Sequence, residues 1–175
     1  MTISKLLPKS AILLLFFLFV FSKVGFSQEE KTISAAVYNF THYVEWPAED
    51  ASGDFIIDVI GHKSVYDKLK EITAGRTVGK QSIVVRFLES VNNITQSHIL
   101  FVGFWQSKDI PKAIEKIGNT HTLIISEKDG LIDAGSGINF VIRNNVIKFE
   151  IKRANIQKYS LTLSKELEQM AYKAY

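Results

Sequence analysis

Two carboxylates, Glu127 and Asp129, follow a short apolar run at 122–125 and are the side chains best suited to acid–base chemistry. An apolar run of this kind is typical of a buried strand, and α/β proteins bind ligands at the carboxyl ends of such strands. Paired carboxylates can transfer protons. Charged residues before a glycine, here Gly130, also form ordinary solvent-exposed turns, and the composition of this segment favours that interpretation. Glu127, Asp129 and Ser136 are therefore candidate ligand-binding residues, as the alternative to a purely structural loop.

The spacing of the histidines does not indicate a metal site. The chain has four of them, at positions without HxxxH or HxH spacing: His42, His62, His98 and His121. The chain has no cysteine, which excludes catalytic thiols, thiolate zinc sites and disulfides. With no catalytic constellation, the sequence predicts a non-enzymatic protein without metal or cofactor. An enzyme of unfamiliar type using Glu127, Asp129 or His121 is the least favoured hypothesis.

Two glycine-containing segments lack the spacing of known phosphate or nucleophile motifs. Between Gly75 and Gly79 there are three residues, where a Walker A loop has four, and Gln81 follows the lysine where Ser or Thr is required. The Gly135-Ser136-Gly137 segment precedes a predicted strand rather than a helix and has neither a GxGxxG nor a GxSxG pattern. Both segments are interpreted as turns.

An aromatic segment ending at Pro47 is the most unusual part of the chain. Five aromatic rings lie within nine positions: Tyr38, Phe40, His42, Tyr43 and Trp46. The apolar spacing predicts a helix over 31–46 whose core face carries Ile33, Ala36, Val37, Phe40, Tyr43 and Val44. Tyr38, His42 and Trp46 would then form a second stripe almost opposite the first.

Three interpretations of this second stripe stay open. Tyr and Trp are common at interfaces because they bury much area at little entropic cost, so Tyr38, His42 and Trp46 are candidate partner-binding residues. Phe104 and Trp105, at the end of a predicted strand, would extend that surface. Alternatively, the helix is buried on both faces, or the stripe forms a homodimer contact.

Residues 1–27 have the layout of a secretory signal peptide. Two lysines, Lys5 and Lys9, precede an unbroken apolar run over 11–21, and Gly25-Phe26-Ser27 offers small residues before a cut at Gln28. The alternative is a membrane anchor, but spanning a bilayer needs about 17–25 apolar residues and Lys23 ends the run earlier. We expect cleavage of 1–27 and export of 28–175 as a single domain without direct membrane insertion.

The formal charge of +3 comes entirely from the segment 1–27, which holds three lysines and no acidic residue. The remaining chain is therefore formally neutral. A neutral chain without a polybasic run does not suit nucleic acid or an anionic membrane surface as a partner.

The elements predicted along 28–175 alternate between helices and strands. Helices are expected over 31–46, from a cap at Ser64 to Gly75, from Ser107 or Asp109 to Gly118, and after a cap at Ser164. Strands are expected over 55–60, 83–88, 98–104, 122–125, 138–142, 146–151 and 158–163, with a tight turn at Asn144-Asn145. The order predicts an α/β fold, a three-layer α/β/α sandwich whose central, mostly parallel sheet has an antiparallel edge hairpin.

Several segments, in order from about Ser34 to Ala171, resemble the YfiR family of bacterial periplasmic regulatory proteins. The most specific are Tyr38-Asn39-Phe40-Thr41, Tyr43-Val44-Glu45-Trp46-Pro47 and Gly137-Ile138-Asn139-Phe140. The resemblance implies a non-enzymatic regulator in the periplasm of a Gram-negative bacterium. Such a regulator restrains an inner-membrane diguanylate cyclase, which lowers cyclic di-GMP and biofilm formation, and self-associates, here as an expected homodimer.

This chain departs from the family pattern because it has no cysteine pairs, so no redox signal can act on it through disulfides. The partner is accordingly expected to be an inner-membrane sensor protein, a diguanylate cyclase or a kinase. The alternative function is a periplasmic small-molecule-binding sensor domain for a kinase or transporter system, with its pocket near 126–137.

Overall fold

An eight-stranded sheet forms the centre of the protein, in a computed structural model that describes residues 28–175. The expected signal peptide, 1–27, lies outside the described residues. Among the described residues, five strand pairs of this sheet are parallel. Two are antiparallel, Thr77–Val78 with Gln81–Leu88 and Ile138–Arg143 with Val146–Ile151, and Val44–Glu45 and Thr162–Leu163 form a separate antiparallel pair. The fold is the predicted three-layer α/β/α sandwich. The hairpin over 138–151 is paired on its outer side with a further strand, Lys173–Ala174, that the sequence did not predict.

The strands in chain order are β1 (Val44–Glu45), β2 (Phe55–Ile60), β3 (Thr77–Val78), β4 (Gln81–Leu88), β5 (Ile99–Val102), β6 (Leu123–Ser126), β7 (Ile138–Arg143), β8 (Val146–Ile151), β9 (Thr162–Leu163) and β10 (Lys173–Ala174). The helices are α1 (28–40), α2 (Lys63–Thr73), α3 (Ile110–Ile117), α4 (Arg153–Gln157) and α5 (Lys165–Met170). Short 3₁₀ turns cover Ala48–Asp50, Val91–Asn93 and Phe104–Asp109.

In the strand order β10-β8-β7-β6-β5-β2-β4-β3, the connections between strands run one way from β2 and the opposite way from β5. The switch point of the sheet therefore lies between β2 and β5. From β2 the chain crosses through α2 to β4 on one side, and it later builds β5, α3 and β6 on the other side. Since parallel crossovers are right-handed, these opposite directions place α2 and α3 on opposite faces of the sheet. The segments that follow β2 and β5 therefore lead to helices on opposite faces, and open α/β sheets form binding crevices at such a position.

Two glycines allow the loops after β2 and β5 to approach each other at this point. A Cβ atom on Gly103 would lie 2.8 Å from the carbonyl carbon and oxygen of Gly61, and Gly61 itself has a φ of +73°. Any larger residue at position 103 would push the two strand ends apart.

The core lies on both faces of the sheet. The strands β5 and β6 are buried on both sides, as expected for central parallel strands. Helix α1 buries Ile33, Val37 and Phe40, and the Phe40 ring packs 5.9 Å from Phe140 and 5.2 Å from Phe149, centroid to centroid. A hydrogen bond of 3.2 Å from the Ser34 hydroxyl to the Val65 carbonyl ties α1 to the start of α2.

The predicted helix over 31–46 is wrong at its carboxyl end. The helix ends at Phe40, residues 41–43 form a turn, and Val44–Glu45 become a strand paired with Thr162–Leu163. The backbone hydrogen bonds of 44–45 are made with a distant segment, and the local period of apolar residues contains no information about that segment. Trp46 therefore does not continue a helical stripe from Tyr38 and His42.

Three smaller differences have local causes. Helix α2 is preceded by His62 rather than capped by Ser64. The expected strand 158–163 is reduced to Thr162–Leu163, because 153–157 form helix α4 and Ser160 adopts a positive φ of 56°. By contrast, the Ser164 cap is confirmed, with its hydroxyl accepting a 3.2 Å hydrogen bond from the Leu167 amide.

Candidate functional site

A cleft of about 380 Å³ opens at the carboxyl edge of the sheet, beside the switch point between β2 and β5. Its size falls within the range of small-molecule sites. Helix α1, the loops after β2, β5 and β6, and the hairpin β7–β8 contribute its lining: Glu29, Glu30, Ile33, His62, Phe104, Trp105, Glu127, Lys128, Asp129, Phe140, Val141, Ile142 and Ile147.

The floor of this cleft contains a hydrogen-bonded ion pair between two loops. Glu127 Oε1 accepts hydrogen bonds of 2.7 Å from His62 Nδ1 and 2.7 Å from the Phe104 amide. The loops after β2, β5 and β6 meet at this single oxygen atom. The Glu127 side chain is only 8% exposed, so these donors replace much of the hydration that the carboxylate loses on burial.

The electrostatics of the cleft alter the pKa of His62. Burial, the largest single influence, lowers this pKa, but the hydrogen bond and charge of Glu127, together with the charges of Glu30 and Glu29, raise it above its usual value. Glu30 Oε1 lies 3.8 Å from His62 Nε2. The histidine therefore carries a proton more readily than a free imidazole does.

The outer edge of the cleft is apolar and exposed. We call Phe104, Trp105 and Ile142 the cleft rim; their exposed fractions are 46%, 79% and 57%. The rings of Phe104 and Trp105 meet edge to face with centroids 5.3 Å apart, and Lys128 Nζ lies 5.1 Å from the centroid of Phe104. Large apolar side chains left in solvent at the mouth of a cleft are typical of a binding surface.

The structure keeps two residues of the expected helical stripe, Tyr38 and His42, in contact and separates Trp46 from them. Tyr38 is half-buried, with its ring 5.1 Å from that of His42 and 4.8 Å from the Arg76 guanidinium carbon; His42 is exposed. Trp46 lies elsewhere, half-buried against Phe55 with ring centroids 4.9 Å apart.

The Trp46 indole N–H donates to the His98 carbonyl oxygen at 3.2 Å. This ring is therefore already engaged by the domain itself.

Of the candidate ligand-binding residues, Glu127 and Asp129 line the cleft and Ser136 does not. Ser136 is fully buried, and its hydroxyl lies 2.7 Å from that of Ser126 in a cluster with Asn139. Asp129 forms a 3.0 Å ion pair with Arg143 at the surface. His121 lies at the opposite edge of the sheet, where its Nδ1 contacts Asp50 Oδ2 at 2.7 Å.

The cleft residues that the sequence reasoning missed are His62, Glu29 and Glu30. A signal for His62 was present, because Gly61-His62 directly follows the predicted strand 55–60, just as Gly103-Phe104 directly follows β5 in the structure. Parallel strands bring such positions to one edge. Glu29 and Glu30 precede the expected helix start at 31, and nothing in their local pattern indicated a site.

Within residues 28–175, no cluster of three or more His, Asp or Glu side chains is arranged to hold a metal ion. In the same part of the chain, every helix is too short or too polar to cross a bilayer.

Solved structures with a similar fold have very different sequences. The ABC domain from Streptococcus pneumoniae, solved in complex with L-Trp, is 10% identical with a TM-score of 0.51, and a conserved domain protein from Vibrio cholerae O1 biovar El Tor is 9% identical with a TM-score of 0.53. Each alignment covers 69% of this chain and 55% of the other chain. These similarities concern the fold alone.

Sequence comparison is more specific than fold comparison here. No curated protein matches the sequence significantly. A family model described as YfiR/HmsC-like matches residues 31–172, which include most of α1, the central sheet except β10, and all of the cleft lining but Glu29 and Glu30. The protein belongs to the YfiR/HmsC-like family.

Proposed function

We propose that this protein is a periplasmic, non-enzymatic regulator that binds and restrains an inner-membrane signalling protein, in the first instance a diguanylate cyclase. Membership of the YfiR/HmsC-like family supports a role in cyclic di-GMP signalling and biofilm control. The basic and apolar pattern of 1–27 supports export.

The observation that carries this proposal is the exposed aromatic pair of the cleft rim. Trp105 and Phe104 are largely in solvent, although their removal from water would be favourable. Trp is among the residues that most often dominate binding energy at interfaces, where it fills a pocket on the partner. The rim thus fits a partner protein better than Trp46 does, since Trp46 is held by Phe55 and His98.

The test uses a double variant of the rim, Phe104→Ala with Trp105→Ala, in a strain that lacks the chromosomal gene. Deletion is expected to raise cyclic di-GMP and surface attachment, and the wild-type gene is expected to restore both. The double variant should fail to restore them while accumulating to the wild-type level. Tyr175→Ala is the matched control, because Tyr175 is equally exposed at 46% but lies by Ile151 at the opposite edge of the sheet.

Photo-crosslinking from position 105 identifies the partner directly. An inner-membrane protein with a cyclase or kinase output should be recovered from position 105 and not from position 175. Unchanged cyclic di-GMP in the deletion strain would contradict the proposed pathway. Full restoration by the double variant would contradict the proposed surface.

Self-association is proposed as a second use of the rim. Sedimentation of the purified protein should show a homodimer whose dissociation constant rises with Trp105→Ala and not with Tyr175→Ala. A monomer over the whole concentration range would contradict the homodimer.

A further inference from the structure

We propose that His62 is a pH-sensitive bridge, which fastens the start of helix α1 to the floor of the cleft only while both ring nitrogens carry a proton. Loss of one proton releases the first turn of α1 and widens the cleft on that side. The bridge is a property of the isolated protein, and only its consequence for partner binding rests on the proposed function.

The His62 ring lies between two carboxylates that belong to different elements. Its Nδ1 is 2.7 Å from Glu127 Oε1 in the loop after β6, and its Nε2 is 3.8 Å from Glu30 Oε1 in the first turn of α1. The exposed fractions of the side chains are 8% for Glu127, 21% for Glu30 and 26% for His62, so water screens the three groups incompletely. We call this arrangement the His62 bridge.

Only the protonated ring can serve both carboxylates. An imidazolium has an N–H group on each nitrogen, whereas a neutral imidazole has one N–H donor and one acceptor nitrogen. The contact to Glu127 is the shorter and more buried of the two, so it keeps the remaining proton on Nδ1. Nε2 then presents a lone pair to Glu30, and the two carboxylates face each other without a positive charge between them.

The other charged groups of the cleft do not replace this positive charge. Glu29, in the same turn of α1, adds a further negative charge near the ring. Lys128 follows Glu127 in the chain, but its Nζ lies 3.3 Å from the Ser107 hydroxyl. Asp129 pairs with Arg143 at the surface, so that this pair adds no net charge.

The remaining elements packed against His62 contribute no unpaired charge. On α2, Lys63 forms an ion pair with Asp67. Strand β5 and its end contribute the Phe101 ring, with its centroid 6.3 Å from that of His62, and Gly103. The charge between Glu30 and Glu127 therefore depends on the proton of His62.

The first turn of α1 has few other contacts to hold it. Within residues 28–175, the pair of Glu30 with His62 is the one ion pair or hydrogen bond that the structure shows between 28–31 and elements other than α1. The first buried side chain of the helix is Ile33, at 3% exposed, and the next residue, Ser34, bonds to the Val65 carbonyl. Loss of the bridge therefore frees the first turn and leaves the rest of α1 packed.

The direction of the effect follows from the charges around the ring. Burial lowers the pKa of His62, but Glu127, Glu30 and Glu29 together raise it above its usual value of about 6.5. The bridge is therefore complete at about pH 5.5 and is lost as the pH rises through the folded-state pKa. Because Nδ1 keeps its proton, the hydrogen bond of 2.7 Å from the Phe104 amide to Glu127 should persist at high pH.

Hydrogen–deuterium exchange of the exported protein, residues 28–175, tests the bridge, with the titration of His62 followed by NMR. The protection factors of the amides of 32–34 should be at least about threefold lower at pH 8.5 than at pH 5.5, the size of one partly exposed ion pair. Protection factors remove the pH dependence of chemical exchange itself. The protection of the Phe104 amide should stay the same. Deprotonation of His62 without any change at 32–34 would overturn the proposal.

A charge variant separates the bridge from other titrations, above all that of a free amino group at Gln28. In Glu30→Gln the protection of 32–34 should lose most of its dependence on pH, and His62 should titrate at a lower pH than in the wild type. The matched control, Glu115→Gln, removes an exposed carboxylate on α3 and should behave like the wild type. If Glu30→Gln kept the full threefold change, the bridge would not control the turn and the proposal would be overturned.

Failure of the bridge and failure of the proposed function can be distinguished. The exchange measurements use the protein alone, whereas the regulatory role is measured as cyclic di-GMP in cells. A protein that shows the expected exchange but whose deletion leaves cyclic di-GMP unchanged would retain the bridge and lose the regulatory role.

Discussion

The two tryptophans show how one residue type serves two roles in this protein. Trp46 is held edge to face against Phe55, and its N–H donates to the His98 carbonyl. Trp105 stands in solvent at the cleft rim, beside Phe104. The first ring contributes to folding, and the second is available for binding.

Truncation of the two tryptophans should therefore change the stability of the protein by very different amounts. Trp46→Ala should lower the free energy of unfolding by about 3 kcal/mol, since it leaves a cavity and removes the N–H donor from the His98 carbonyl. Trp105→Ala should change it by less than about 0.5 kcal/mol. Urea denaturation of both variants measures the difference. Equal losses would contradict the placement of one of the two rings.

The pair between His62 and Glu127 predicts a dependence of stability on pH. The pKa of His62 is raised in the folded state, so its contribution is fully present below the unfolded pKa, about 6.5, and is lost as the pH rises through the folded pKa. The stability difference between the wild type and His62→Gln should therefore be larger at about pH 5.5 than at about pH 8.5.

His98 is the natural internal reference for this comparison. Its Nδ1 accepts a 3.0 Å hydrogen bond from the Ile56 amide, and burial lowers its pKa despite the nearby Asp50 carbonyl and charge. Protonation of His98 thus lowers the free energy of unfolding at low pH equally in the wild type and in His62→Gln. The contribution of His98 therefore cancels in the stability difference between the two proteins. A difference that grows toward high pH would contradict the role assigned to His62.

At the scale of the elements, strands β2 and β4 are joined by an ion pair that no local pattern reveals. Asp58 is fully buried and accepts hydrogen bonds of 2.7 and 2.8 Å from the Arg86 guanidinium, directly across the parallel pair. Arg86 is partly exposed and can be hydrated without its partner. Loss of the pair therefore destabilises the protein mainly through the buried Asp58 carboxylate.

Arg86→Ala should lower the free energy of unfolding by about 3–5 kcal/mol, because it leaves the Asp58 carboxylate buried and unpaired. The double variant Asp58→Val with Arg86→Met should recover most of this loss, since apolar side chains of comparable volume replace a desolvated pair without leaving a charge. Chemical denaturation of the three proteins tests this. A double variant as unstable as Arg86→Ala would show that the pair has a further structural role.

At the scale of the whole molecule, the fate of residues 1–27 bears on the cleft. Glu29 and Glu30 line the cleft, and they follow directly on the expected cleavage site before Gln28. Cleavage would place a free amino terminus within two residues of these carboxylates.

N-terminal sequencing of the protein from the periplasmic fraction is expected to begin at Gln28. An intact amino terminus in the membrane fraction would instead favour the anchor interpretation.

Much of the architecture followed from local patterns. Strand β2 lies where the apolar run 55–60 predicted it, and Asn144 and Asn145 adopt the positive φ values of 52° and 58° that a tight hairpin turn requires. Gly118 ends α3 with a φ of 59°. These features depend on residues close in sequence. Their backbone preferences and the pattern of apolar residues specify the local structure without any distant contact.

The positions that sequence reasoning placed wrongly depend on contacts between distant residues. Val44–Glu45 leave the helical pattern because their backbone groups pair with Thr162–Leu163, more than a hundred residues away. A period of apolar residues cannot distinguish a helix from a segment whose hydrogen bonds are supplied by such a partner.

The sequence by itself determined the family, the α/β class, most strands and a set of candidate aromatic and acidic binding residues. Only the tertiary structure decided which of them act together. It brought His62 to Glu127 across 65 positions, held Trp46 within the domain, and left Trp105 outside. The physical reason is that parallel strands gather their carboxyl ends at one edge whatever their separation in the chain, so the cleft is a property of strand order and not of any segment.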